Sequence, residues 1–132
     1  GYEAMLKVLK VAPDHVFALN FIGYSLVVWN RDLPRAEVML TQALNAQPDN
    51  PSIMDSMGWL YYRKGDFKVA AALLRRALLK QPDSGTIAFH LACALRKSGK
   101  IEESEALYRQ ALKMESDPQE RKRFEPEWSA IK

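Results

Sequence analysis

The chain of 132 residues is long enough for one domain with a sizeable core, and its 48% hydrophobic and 27% charged residues are typical of globular proteins. Its 19 basic and 16 acidic residues are interspersed and leave a net charge of +3, which argues against a nucleic-acid-binding protein with a concentrated positive surface. No apolar run approaches a membrane span, and the single cysteine, Cys93, excludes an internal disulfide.

The chain begins at Gly1 and has no signal-peptide pattern. We therefore expect it to be processed or cut from a longer protein. A targeting segment would lie outside these residues, so the sequence leaves the compartment open between cytoplasm and periplasm.

Apolar residues recur at helical spacing from the start of the chain, and no segment shows the alternation of apolar and polar residues that is typical of a strand. The first predicted helix covers residues 2 to 11 and ends before Pro13. Three pairs of amphipathic helices follow, each pair joined by a short turn and closed by a proline–aspartate or serine–aspartate stop. Their predicted bounds are near 16–29 and 33–46, 51–64 and 67–80, and 85–98 and 101–115. The predicted fold class is therefore all-α.

An internal repeat of about 34 residues organises these pairs. Several independent series share that spacing: Asp14, Asp49, Asp83 and Asp117; Ala43, Ala77 and Ala111; and Gly65 and Gly99. The sequence predicts a single domain over residues 1–132. It consists of a half-repeat at 1–15, complete repeats at 16–50, 51–84 and 85–118, and a capping tail at 119–132.

The first complete repeat has one residue more than the others. Gly23 and Ala36 are both in register with the later repeats, which places the insertion in the turn near Trp29 to Asp32. We expect Arg31 or Asp32 to take the place of the usual turn glycine. Within a pair, we expect small residues such as Gly58 and Ala70 to let the two helices approach closely.

The repeat resembles the tetratricopeptide repeat, whose signature is W-x2-L-G-x2-Y, then A-x3-F, then P. Residues 51–84 match it as Met54-x2-Met57-Gly58-x2-Tyr61, Ala70-x3-Leu74 and Pro82. The resemblance implies a right-handed α-α superhelix and a protein-binding or assembly module rather than an enzyme. The run from Asp55 to Arg63 is also similar to repeats of bacterial outer-membrane lipoproteins of this family.

The tail departs from the pattern because Pro126 falls where the family has a small residue. Proline inside a helix costs about 3 kcal/mol, so we expect a break there. We predict a short capping helix, or two short pieces, that covers the end of the solenoid.

The resemblance places the first helix of each pair on a concave groove, and candidate partner-binding residues follow from its exposed positions. They are Asn20, Tyr24, Asp55, Trp59, Tyr62, Arg63, Phe89, His90, Arg96 and Lys97. We expect Tyr24, Trp59, Tyr62 and Phe89 to form an exposed aromatic ledge, and Arg63, Arg96 and Lys97 to select acidic groups beside it. The alternative is that some of these rings pack against neighbouring helices. Matching positions lack the lysine and arginine with which some family members clamp a terminal carboxylate, so that binding mode is not expected.

His90 and Cys93 lie three residues apart, but neither a catalytic nucleophile nor a metal site is expected from two such residues. We predict no catalytic residue, metal or cofactor, and no insertion into a membrane. Two functions remain open. One is capture of a protein or peptide segment in the groove, and the other is self-association into a homo-oligomer, which the half-repeat favours.

Overall fold

The computed structural model describes residues 1–132 and contains eight α-helices and no strand. All seven helices expected up to residue 115 are present, with ends displaced by one residue at most. None of the eight has the length and apolar character needed to span a bilayer. The helices are α1 Tyr2–Val11, α2 Val16–Val28, α3 Leu33–Ala46, α4 Pro51–Arg63, α5 Phe67–Lys80, α6 Gly85–Lys97, α7 Ile101–Met114 and α8 Pro118–Ile131.

Local signals explain the helix ends. Side chains cap five helices by accepting a backbone N–H of the first turn, which otherwise lacks a partner. Gly65 and Gly99 follow α4 and α6 at φ 87° and 88°, the left-handed conformation that glycine adopts without strain. The capping residues are His15, Asn50, Asp66, Ser84 and Asp117.

Antiparallel pairs stack side by side along the molecule: α2 with α3, α4 with α5, and α6 with α7, while α1 packs on α2. Helices α2, α4 and α6 contact one another along the inner layer, and α3, α5 and α7 form the outer one. Ala36, Ala70 and Ser104 are fully buried between the layers at equivalent positions of the three pairs. The predicted solenoid is therefore confirmed.

Close approach of the two helices of a pair requires the glycine of the inner helix, as expected for Gly58. A Cβ added to Gly58 would lie 2.7 Å from Leu74 Cγ, and one added to Gly23 would lie 2.7 Å from Leu40 Cγ. Leu74, not Ala70, therefore occupies the space that the glycine leaves open. The equal distances also show that both helices of the first pair keep their phase, so the inserted residue lies in the turn as predicted.

The prediction that Arg31 or Asp32 replaces the turn glycine was wrong. Asn30 takes that place, at φ 53°, and its N–H bonds to Val27 O at 3.0 Å as the Gly65 N–H bonds to Tyr62 O. Asparagine adopts this left-handed backbone conformation more readily than most other residues do. Two residues, Arg31 and Asp32, then precede α3 where Asp66 alone precedes α5, and Asp32, the N-cap of α3, is also left-handed at φ 43°.

The expected break at Pro126 is absent, because α8 runs continuously through it. Proline removes the hydrogen bond to the carbonyl of Lys122, four residues earlier. Both residues are exposed, so water can donate a hydrogen bond to that carbonyl. Phe124 and Trp128 are buried on the opposite face and hold the turns on either side of the proline.

Aromatic contacts fix α8 against the last pair. Phe124 stacks on Phe89 of α6 with ring centroids 4.2 Å apart, and Trp128 stacks on Tyr108 of α7 at 4.3 Å. The backbone of α8 lies against α6. This position brings α8 over the concave side, where it faces α2 across a groove.

Candidate functional site

The concave groove has α4 and α6 as its floor, α2 as one wall and α8 as the other. Two adjoining cavities occupy it. The groove cavity, of about 370 Å³, lies between α2 and α8 above Trp59 and His90. The amino-terminal cavity, of about 180 Å³, lies between α2 and α4, and Tyr24 lines both.

The exposed aromatic ledge expected from the sequence does not exist as such. Trp59 is only 2% exposed, because its ring lies between Tyr62 at 4.3 Å and His90 at 4.1 Å, both stacked. Tyr62 and Phe89 are also buried, Phe89 beneath Phe124 of α8. Neighbouring inner helices are in contact, so rings that point into the groove pack against one another.

Tyr24 is the one member of the expected ledge that remains partly accessible. Its ring lies 6.2 Å from that of His90, a side-chain contact between the first and third repeats across the groove. Burial raises the pKa of Tyr24 well above its usual range, and the nearby carboxylate of Asp55 adds to the shift. The hydroxyl therefore stays protonated and can donate a hydrogen bond in the groove.

The polar candidates of the floor are engaged with each other. His90 Nδ1 lies 2.7 Å from Asp55 Oδ1, and both residues are buried. Burial raises the pKa of the Cys93 thiol, and the charge of Glu127 adds to this effect. A reactive cysteine requires the opposite shift, so the environment of Cys93 is that of a packing residue.

The basic edge is satisfied within the chain. Arg63 donates to two carbonyls at the end of α2 at 3.1 and 3.3 Å and pairs with Glu127 of α8 at 3.0 Å. Arg96 donates to the last carbonyl of α8 at 3.1 Å, and Lys97 lies over the ring of Phe67. The acidic group that these arginines were expected to select in a partner is supplied in part by α8 itself.

Several accessible groups of the site were not in the predicted set. Trp29 is 50% exposed and lines the groove cavity, but its position in the inserted turn concealed this. Phe17 and Phe21 line the amino-terminal cavity, and only their groove register could have indicated them. Glu120 and Arg123 face the groove cavity from α8, whose placement the sequence did not predict.

A stack of helical pairs with a groove on its inner face defines a helical-repeat interaction module. The sequence model of the tetratricopeptide repeat matches residues 56–121, half of the chain. The chain therefore belongs to the tetratricopeptide repeat family, as the signature predicted. Proteins of this family are generally non-enzymatic scaffolds.

Relatives and solved structures agree with this assignment. Over 58 residues the chain is 40% identical to a TPR repeat-containing protein of Pseudomonas aeruginosa, which covers 44% of this chain and 10% of the relative. MamA MSR-1 superposes with a TM-score of 0.64 at 22% identity, over 86% of this chain and 65% of that one. MamA AMB-1 gives 0.66 at 24%, over 86% and 67%. The chain thus spans about a tenth of the curated relative, and the MamA structures support the fold.

Proposed function

We propose that this domain captures a segment of a partner protein in the concave groove between α2 and α8. The observation that carries the proposal is the open cavity of about 370 Å³, which continues past Tyr24 into a second one. Its accessible groups include the large ring of Trp29 and charges of both signs on Glu120 and Arg123. Exposed aromatic and arginine side chains are the groups that most often dominate binding energy.

Helix α8 indicates what the inner face accepts. Two aromatic rings four residues apart hold it in place, Phe124 against Phe89 of α6 and Trp128 against Tyr108 of α7, and Glu127 pairs with Arg63. An apolar anchor beside a carboxylate is the chemistry first expected of a partner. Because α8 already uses Arg63 and Arg96, a partner segment binds beside α8 and uses the remaining surface.

Trp29 offers the direct test, because it is half exposed and lies outside the buried core, with its ring 5.1 Å from that of Tyr2 in α1. Short random peptides displayed on phage would be selected against the full chain and their sites mapped by NMR chemical shifts. Trp29→Ala should weaken groove-binding peptides by about tenfold or more. Leu79→Ala, on the outer layer and 82% exposed, is the matched control and should leave affinity unchanged.

The opposite pattern would refute the proposal. Peptides that shift only α3, α5 and α7, or that lose affinity with Leu79→Ala and not with Trp29→Ala, would place the binding surface on the outer layer.

Self-association is the second candidate, and it has its own supporting observation. Helix α1 contributes no buried residue, and Val11 at its end is almost fully exposed. A second copy of the chain would cover the exposed face of α1. Light scattering at several protein concentrations tests this: a mass that rises with concentration and falls back to the monomer value with Val11→Asp would favour self-association.

A further inference from the structure

We infer that the amino-terminal cavity, formed by Phe17, Asn20, Phe21, Tyr24, Ser52, Asp55 and Ser56, binds a lysine or arginine side chain of the partner segment. This inference rests on the proposed function of the groove and specifies one subsite of it. The acidic preference expected from the sequence concerned the basic edge of Arg63, Arg96 and Lys97, and this subsite has the opposite preference at the other end of the inner helices.

Aromatic rings form one side of the cavity. Phe17, Phe21 and Tyr24 follow one face of α2 at spacings of four and three residues, and the rings of Phe17 and Phe21 lie 6.3 Å apart. Phe17 is 63% exposed, so its ring is free to contact a ligand. The face of an aromatic ring carries partial negative charge and attracts ammonium and guanidinium groups.

Hydrogen-bond acceptors form the other side. Asp55 bonds to His90 through Oδ1 alone, which leaves Oδ2 free. Asn20 donates from Nδ2 to Ser52 Oγ at 3.1 Å, while its Oδ1 has no partner. No lysine or arginine is among the seven lining residues. The cavity therefore has a free carboxylate oxygen beside a buried amide oxygen that lacks a partner, and no lysine or arginine of its own.

The adjoining groove cavity differs, because its cations already have partners. Arg63 pairs with Glu127 at 3.0 Å, and Arg123 lies 3.5 Å from Glu120. A carboxylate brought by a partner would have to displace one of these acids. A cation beside Asp55 displaces nothing and gains both the carboxylate and the rings, so charge complementarity favours a basic side chain at this end.

The experiment uses groove-binding peptides selected from the phage library against the full chain. We expect them to share a lysine or arginine at one position. Replacing that residue by norleucine or citrulline should weaken binding about tenfold, as expected for a cation–π contact reinforced by a carboxylate. Asp55→Asn keeps the size of the side chain and an acceptor for His90, and should cause a similar loss. The two losses should not multiply when combined, because both remove one interaction.

Two further variants protect the test against a folding defect. Phe21→Leu removes a ring while keeping an apolar side chain, and should weaken the basic peptide but not its norleucine form. Val38→Ala, exposed on the outer layer, should change neither.

The possible failures are distinct. Groove-binding peptides without a shared basic residue, or with affinity unaffected by both Asp55→Asn and Phe21→Leu, would overturn the cation subsite and leave the groove function standing. A library that yields no groove-binding peptide would overturn both.

Discussion

At the scale of single residues, Trp59 shows how a groove position becomes part of the core. The ring is enclosed by Tyr62 and His90, with Arg63 above it at 4.9 Å. Trp59→Ala should lower the free energy of unfolding by about 3–5 kcal/mol, as removal of a buried aromatic ring does. Urea unfolding followed by circular dichroism measures this loss.

The control for that experiment is Trp29→Ala, which should cost less than half as much, because the residue is 50% exposed and its burial contributes correspondingly less. Equal losses for the two variants would mean that Trp59 is as exposed as the sequence first suggested.

Gly58 provides a prediction in which the sign of the effect is informative. Alanine favours helix over glycine by about 1 kcal/mol. A Cβ at this position would nevertheless lie 2.7 Å from Cγ of the fully buried Leu74, and such overpacking costs about 1–3 kcal/mol. Gly58→Ala should therefore destabilise the protein alone and stabilise it in a Leu74→Ala background. Thermal melts of the wild type, the two single variants and the double variant measure both effects, and destabilisation in both backgrounds would contradict the assigned contact.

The buried thiol and tyrosine hydroxyls predict how the free energy of unfolding changes with pH. The folded-state pKa values of Cys93, Tyr24 and Tyr62 are raised, chiefly by burial, above ordinary values of 9.0, 10.0 and 10.0. The unfolded chain then loses protons that the native state keeps, so stability is full below about pH 9 and falls as pH rises further. Each such group contributes a slope of about 1.4 kcal/mol per pH unit.

Urea midpoints at several values above and below this pH check the prediction. Cys93→Ala should flatten the initial decline while leaving the later decline from the tyrosines in place. A Cys93→Ala variant with the full initial slope would show that the thiol is not responsible.

At the scale of helices, periodicity and stop signals were sufficient to predict α1 to α7. Their apolar spacing recurs three times, so each pair supports the assignment of the others. The turn after α2 and the course of α8 were less predictable. Each occurs once in the chain, and Asn30 and Pro126 act through local geometry that no repeat reveals. Propensity alone indicated a break at Pro126, but packing of Phe124 and Trp128 outweighs it.

Pro126 therefore reduces the stability of a helix that tertiary contacts hold together. Pro126→Ala restores the lost hydrogen bond and relieves the contact with the preceding turn, so it should stabilise α8 by up to about 3 kcal/mol. Amide hydrogen exchange across residues 118–131 should slow, while exchange in α2 to α5 should stay the same. Faster exchange in α8 would mean that the proline supports its course over the groove.

At the scale of the molecule, register predicted which side chains point into the groove, but not which of them water can reach. Register depends on sequence alone. Accessibility depends on the packing of α4 against α6, which stacks Trp59 on His90, and on α8, which covers Phe89 and pairs with Arg63. The usable surface therefore shifts toward α2, where Phe17, Phe21, Tyr24 and Trp29 remain accessible.

The stacked architecture also predicts how damage spreads. In a repeat protein each unit contacts its neighbours, so stability is approximately a sum of local and interface terms. Leu40 and Leu74 are fully buried at equivalent positions of the first and second complete repeats. Alanine at either position should cost about 2–5 kcal/mol locally.

Leu40→Ala should accelerate amide exchange in α1 to α3 and leave α6 to α8 protected. Leu74→Ala should accelerate exchange throughout, because the middle repeat contacts both neighbours and reaches α8 through the pair of Arg63 and Glu127. Hydrogen exchange followed by mass spectrometry of both variants separates these patterns. The same increase in every helix for both variants would instead show that the chain unfolds as one cooperative unit.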